Sequence, residues 1–137
     1  MKQLVVFLAL IVLIVICHAK RPSRKCRSGM VKEEECILHC EYKYYGFTDD
    51  KFQLDADQRG NFRFAMMDYG AIRMDQEGQM DEHLKKCANE AEKAPVCSKV
   101  DKCRKIIQYY RCAVNNKLFQ YNAYAKAIIA LDKTINV

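Results

Sequence analysis

Five cations fall between residues 99 and 111, namely Lys99, Lys102, Arg104, Lys105 and Arg111, with one acid, Asp101, among them. Residues 20–27 hold five more, Lys20, Arg21, Arg24, Lys25 and Arg27, and no acid. The chemistry open to such groups is anion binding. A polyanion carries condensed counterions that lysines and arginines release on contact, which gives salt-sensitive attachment without sequence specificity. Arginine adds forked hydrogen bonds to sulfate or phosphate oxygens. The candidate binding set is therefore Arg21, Arg24, Lys25, Arg27, Lys99, Lys102, Arg104, Lys105, Arg111 and Lys117. A lone cation is as readily an ordinary solvated charge; concentration at the two ends of the chain sets this group apart.

Cysteine is the second reactive type. Cys17 lies in an N-terminal leader, and seven remain: Cys26, Cys36, Cys40, Cys87, Cys97, Cys103 and Cys112. In an oxidising compartment that number means three disulfides and one thiol left over. Zinc fits poorly, because no C-x-x-C pair occurs and only His39 and His83 follow the leader. Asp49, Asp50, Asp55 and Asp57 lack the glycine and terminal glutamate of a calcium loop. No metal or cofactor is expected. Nor is an enzyme: a small secreted phospholipase needs a histidine followed by aspartate and a glycine-rich calcium loop, whereas Cys40 and Glu41 follow His39. No other nucleophile and base stand out, so His39 is read as a helix-surface residue and His83 as one among charges.

These groups need elements to position them. Residues 1–19 read as a secretory signal: Lys2, thirteen apolar residues from Leu4 to Ile16, then Cys17-His18-Ala19 ahead of the cut. Thirteen residues fall short of a bilayer's width, so a soluble secreted domain over residues 20–137 is expected. No N-x-S/T acceptor is present. Pro22 and Ser23 make the basic start an extended arm. From Gly29 the pattern turns helical, with Cys36, Ile37, Cys40 and Tyr44 on one side and Gly46 as a stop. The segment over residues 48–78 is acidic and less regular, but Phe62, Ala65, Met66, Tyr69 and Ile72 keep helical spacing. Met80, Leu84, Cys87, Ala88 and Ala91 define the next helix, with Asp81–Lys85 and Glu82–Lys86 pairs on its outer face and Pro95 beyond its end.

The central helix runs from Ser98, which caps it with Asp101, and presents Val100, Cys103, Ile107, Tyr110 and Val114 as an apolar stripe. Cys103 and Cys112 are nine residues apart, so their sulfurs leave opposite sides and bond different partners. Leu118, Tyr121, Ala125 and Ile128 mark a last helix, and Leu131, Ile135 and Val137 an apolar tail. The fold class is all-α, a compact bundle of about six helices with three disulfides. Charge is segregated: residues 28–97 carry nine bases against fifteen acids, residues 98–137 eight against two. If the disulfides join the ends, one face becomes cationic.

C-x3-C at Cys36 and Cys40 and C-x8-C at Cys103 and Cys112 resemble the insect odorant-binding proteins, a secreted six-helix fold. The resemblance implies bridges Cys26–Cys40, Cys36–Cys103 and Cys87–Cys112. CILHCEYKYYGF from Cys36, YYRC from Tyr109 and LDKTINV from Leu131 look like the small odorant-binding-like salivary proteins of blood-feeding sand flies. Departures from the carriers are a short Cys26–Cys36 interval, a long Cys40–Cys87 interval, and an unpaired Cys97. What the resemblance implies is a salivary anti-haemostatic protein, an anticoagulant that coats anionic surfaces and polymers such as polyphosphate and sulfated polysaccharides and so blocks contact activation of clotting. The alternative is a carrier of a small hydrophobic or amine ligand, with Phe62, Phe64, Met66, Tyr69, Tyr110 and Tyr121 around an interior pocket. No groove-reading motif for specific nucleic acid is present. A monomer is expected, with a Cys97-linked dimer open.

Overall fold

The computed structural model describes residues 20–120 and 122–137; the secretory-signal reading over residues 1–19 and both readings of Tyr121 lie outside the described residues. Among the described residues six α-helices follow in order: α1 Pro22–Lys25, α2 Ile37–Tyr45, α3 Ala56–Asp68, α4 Glu77–Glu92, α5 Lys99–Val114 and α6 Ala123–Thr134. A π turn, Cys26–Met30, extends α1, and 3-10 turns Glu34–Cys36 and Met74–Gln76 lead into α2 and α4. No strand occurs among these residues.

Local chemistry sets the ends. The Asp55 carboxylate accepts from the Asp57 and Gln58 amides at the start of α3. At α5 the Ser98 hydroxyl accepts from the Asp101 amide at 3.1 Å and donates to the Asp101 carboxylate at 2.8 Å. That carboxylate also takes the Cys97 amide at 3.2 Å, so the Ser98 and Asp101 pair forms a two-way cap. Gly46 ends α2 at φ +75°, where its amide and that of Phe47 return to Lys43 and Tyr42. A side chain there is strained, which is why glycine suits the position.

The core is aromatic. Phe62, fully buried on α3, meets the rings of Tyr42, Phe47, Tyr109 and Tyr124 with centroids between 4.9 and 6.4 Å. The Tyr42 and Tyr124 hydroxyls share a 2.8 Å hydrogen bond, and burial pushes the Tyr42 phenol well up, so it is neutral. Met80, Leu84, Cys87, Ala88 and Ala91 are all buried on one face of α4, as their spacing predicts. Disulfides Cys26–Cys40, Cys36–Cys103 and Cys87–Cys112 tie the π turn after α1 to α2, the α2 entry to α5, and α4 to α5. They are the bridges implied by the odorant-binding resemblance. Cys97 is a free, exposed thiol.

Several sequence expectations are corrected. The basic start is not an extended arm: Pro22 sits at the first helical position, where its fixed φ suits a helix and its missing amide costs nothing. The chain from Gly29 is not yet helical, since Gly29 stands at φ +89° and α2 begins only at Ile37. Its buried residues are Glu41, Tyr42 and Tyr45, with Ile37 and Tyr44 half-buried. Asp81 pairs with Arg63 of α3 at 2.7 Å rather than with Lys85. In α6, Ala127 is buried and Ala125 exposed. In α5 the buried positions are Cys103, Lys105, Ile106, Tyr109 and Ala113, so the core face is turned by one residue and Ile107, Tyr110 and Val114 sit half-buried on its flank.

The two ends meet. The Lys20 amide donates to the Val137 carbonyl at 3.1 Å and the Val137 amide to the Lys20 carbonyl at 2.9 Å. Beside this clasp the Asp132 carboxylate accepts from the Ser23 amide at 2.9 Å, the Ser23 hydroxyl at 2.6 Å and the Tyr45 hydroxyl at 2.9 Å. Burial raises the Asp132 carboxyl, but those donors outweigh it and hold it below the usual carboxylate range.

Candidate polyanion interface

Where the ten cations fall is decided by α1, α2 and α5. Arg21 and Arg24 are exposed at the start of the described residues, beside the clasp with Val137. Lys25 is half-buried, its ammonium 5.3 Å from the centroid of the Tyr44 ring on α2. Lys99 and Lys102 are exposed in the first turn of α5, and the Lys102 ammonium lies 5.8 Å from the Phe52 centroid. The helix dipole adds positive potential at that end.

Tyr44, Phe52 and Lys99 line one groove of about 490 Å³, together with Met30, Val31, Lys32, Glu33, Cys36, His39, Cys40, Lys43 and Asp50. Lys25 and Lys102, each set over one of its aromatic rings, therefore flank a common feature. The two positive ends of the sequence meet there. His39 is half-buried in this groove wall rather than free on a helix surface: its ring stacks on Phe52 at 3.7 Å and its Nε2 donates to the Asp49 carbonyl at 2.9 Å. Burial lowers its pKa, and the nearby Lys43 and Lys99 charges act in the same direction.

Other candidates are placed differently. Lys105 is buried on α5, and its ammonium reaches only as far as the Glu92 carboxylate of α4, 2.8 Å away; it is not part of an exposed binding surface. The Arg27 guanidinium pairs at 2.9 Å with Glu41, a buried carboxylate whose pKa is raised by burial and pulled back by that arginine. Arg104 is shared between Glu35 at 3.3 Å and Asp101 at 3.5 Å. The Glu35 carboxyl is held below its ordinary range by its own backbone amide and by Arg104. Arg111 is exposed about 18 Å along the helix from Lys99, at 1.5 Å per residue. Lys117 lies elsewhere, lining a second groove beside Arg73 and Gln76. Arg21, Arg24, Lys25, Lys99, Lys102, Arg111 and Lys117 stand outside the ion pairs found among the described residues.

The sequence reading missed Lys32 and Lys43, which it counted within the acidic middle of the chain. Lys43 could have been found: it lies one helical turn beyond His39, on the side of α2 that bears His39 and Cys40. The other histidine belongs to the disulfide layer. His83 Nε2 is 2.9 Å from the Cys112 carbonyl and 3.5 Å from Cys87 Sγ. His83, Cys87 and Cys112 thus cluster as metal ligands would, but the two sulfurs are bonded to each other and supply no thiolate. Of the residues offered for an interior ligand pocket, Phe62 and Met66 are fully buried and Phe64 is 65% exposed, so they do not share one wall.

No protein-family model matches the chain. It is similar to Ayaconin of Lutzomyia ayacuchensis, 35% identical over 120 residues that cover 87% of this chain and 82% of the relative. It is also similar to Salivary protein 15a and Salivary protein 15b of Phlebotomus duboscqi, each 35% identical over 129 residues and 91% of both chains. With that extent of identity, and with cysteines bridged as the resemblance implies, the chain belongs to the family of secreted sand fly salivary proteins.

Proposed function

We propose that this salivary protein coats anionic surfaces and polymers and so inhibits contact-pathway activation of blood clotting. The observation that carries the reading is the meeting of the two basic ends: Lys25 from one and Lys99 and Lys102 from the other flank a single groove, with none of the three in an ion pair. Surface masking needs density of charge and stoichiometric coverage, not turnover. Arg21 and Arg24 extend the reach along the chain, whereas Arg111, nine residues from Lys102, leaves the opposite side of α5. Each cation that displaces a condensed counterion adds to affinity and steepens its loss with salt.

The test is calorimetric binding of the mature protein to long-chain polyphosphate and to dextran sulfate across a salt series. With the five cations brought together, Arg21, Arg24, Lys25, Lys99 and Lys102, binding should weaken by roughly 500-fold between 50 and 200 mM salt, by analogy with nucleic acid. Lys99→Glu with Lys102→Glu should weaken it further and flatten the salt slope, and should restore clotting in a contact-activation assay. Binding indifferent to salt or to those reversals defeats the reading.

A further inference from the structure

The groove holds more than charge. Its walls carry Met30, Val31, Tyr44 and Phe52 as well as Lys32, Lys43 and Lys99. Met30 is 53% exposed there, a long apolar side chain left outside the core. A highly hydrated polyanion gains nothing from such surface. Counting Lys25 over Tyr44 and Lys102 over Phe52, five amines face the acids Glu33 and Asp50, and Asp50 is already bonded to Lys43 at 2.7 Å. A volume of about 490 Å³ lies within the range of small-molecule sites.

We propose that this groove is a binding site for a small anionic amphiphile: one carboxylate, sulfate or phosphate head held by the lysines, and an apolar chain or ring laid against Val31, Met30 and Phe52. The site takes the ligand as a free molecule from solution. It stands apart from surface masking in its residues, because Lys32 and Lys43 serve the groove alone while Lys99 and Lys102 serve both. It also stands apart in its energetics: each buried methylene strengthens binding by up to about fourfold, a gain that salt does not screen.

The mature chain offers a local reporter. Its two histidines are His39, in the groove wall, and His83, packed on the Cys87–Cys112 disulfide. Ring resonances of both are followed by NMR during titration with hexyl, octyl and decyl sulfate below their micelle concentrations. Inorganic sulfate and octyl glucoside serve as head-only and tail-only controls. The expected result is a saturable shift of His39 with His83 still, affinity rising with chain length, and at least tenfold weaker effects from either control. Lys32→Glu, which breaks no ion pair, should weaken octyl sulfate severalfold. Lys32→Glu with Lys43→Glu should weaken it by about tenfold or more through like-charge repulsion, and Lys32→Gln with Lys43→Gln, which removes the groove's own amines without adding negative charge, should weaken octyl sulfate more than polyphosphate. Equal shifts with inorganic sulfate or with octyl glucoside would overturn the proposal, as would affinity independent of chain length. A His39 response to anionic vesicles but not to monomeric octyl sulfate would overturn it in favour of a lipid surface. Loss of polyphosphate binding with the His39 response intact would defeat surface masking and leave the groove standing.

Discussion

Asp132 is the side chain on which the closing of the chain turns, since it takes three hydrogen bonds from Ser23 and Tyr45 while 8% exposed. Asp132→Asn keeps Oδ1 for the Ser23 amide and the Tyr45 hydroxyl and turns the Ser23 hydroxyl into an acceptor, so it exchanges charge-assisted bonds for neutral ones and should cost about 1–2 kcal/mol at neutral pH by urea denaturation. The sign with pH follows from the lowered folded pKa: the stabilisation is present above the unfolded value and is lost as pH falls through the folded one. The gap between wild type and Asn variant should therefore be constant near pH 6–7 and shrink below about pH 4. Glu41 acts with the opposite sign, because burial raises its pKa and its ionisation opposes folding as pH rises. Lys105 and Lys102 show how far residue type under-determines role: three positions apart on α5, one spends its charge on Glu92 and the other faces solvent. Lys105→Met should leave polyphosphate affinity and its salt slope unchanged in calorimetry, where reversal of Lys99 and Lys102 should not.

At the scale of elements, Gly46 is the sharpest test. A Cβ built there would sit 3.0 Å from Nδ2 of the Asn61 side chain, on a backbone at φ +75°. Gly46→Ala should destabilise by about 1–2 kcal/mol, the cost of a left-handed residue, with a lower thermal midpoint in calorimetry. The same element level shows why some helices could be read and others could not. The apolar residues of α4 lie on one face with polar neighbours on both sides, so spacing alone identifies the buried set. In α5 the pairs Ile106-Ile107 and Tyr109-Tyr110 offer two apolar faces about 100° apart. The choice between them is made outside the helix, by Cys103 reaching Cys36 and Cys112 reaching Cys87. That choice also carries Lys105 into the protein. The helical turn at Pro22 was hidden for a related reason: four residues have no periodicity to read, and their shape is held by Asp132, more than 100 positions away.

At the scale of the molecule, the segregation of charge was legible from composition along the chain, but its convergence was not, because it depends on three bridges and on the contact between residues 20 and 137. The groove was invisible for the same reason, being assembled from residues 30 to 52 and one turn of a helix that begins at residue 99. The paired backbones of Lys20 and Val137 make the stretch over residues 20–137 a nearly closed ring. Its covalent starting point is then interchangeable. A circular permutant that links these residues through a short glycine and serine segment, and opens at the exposed stretch over residues 95–97, should fold with all three bridges. Peptide mapping of the bridges would check this, with a scrambled pattern counting against it. Such a molecule would present both basic groups on one uninterrupted strand, with new termini displaced into the α4–α5 connection.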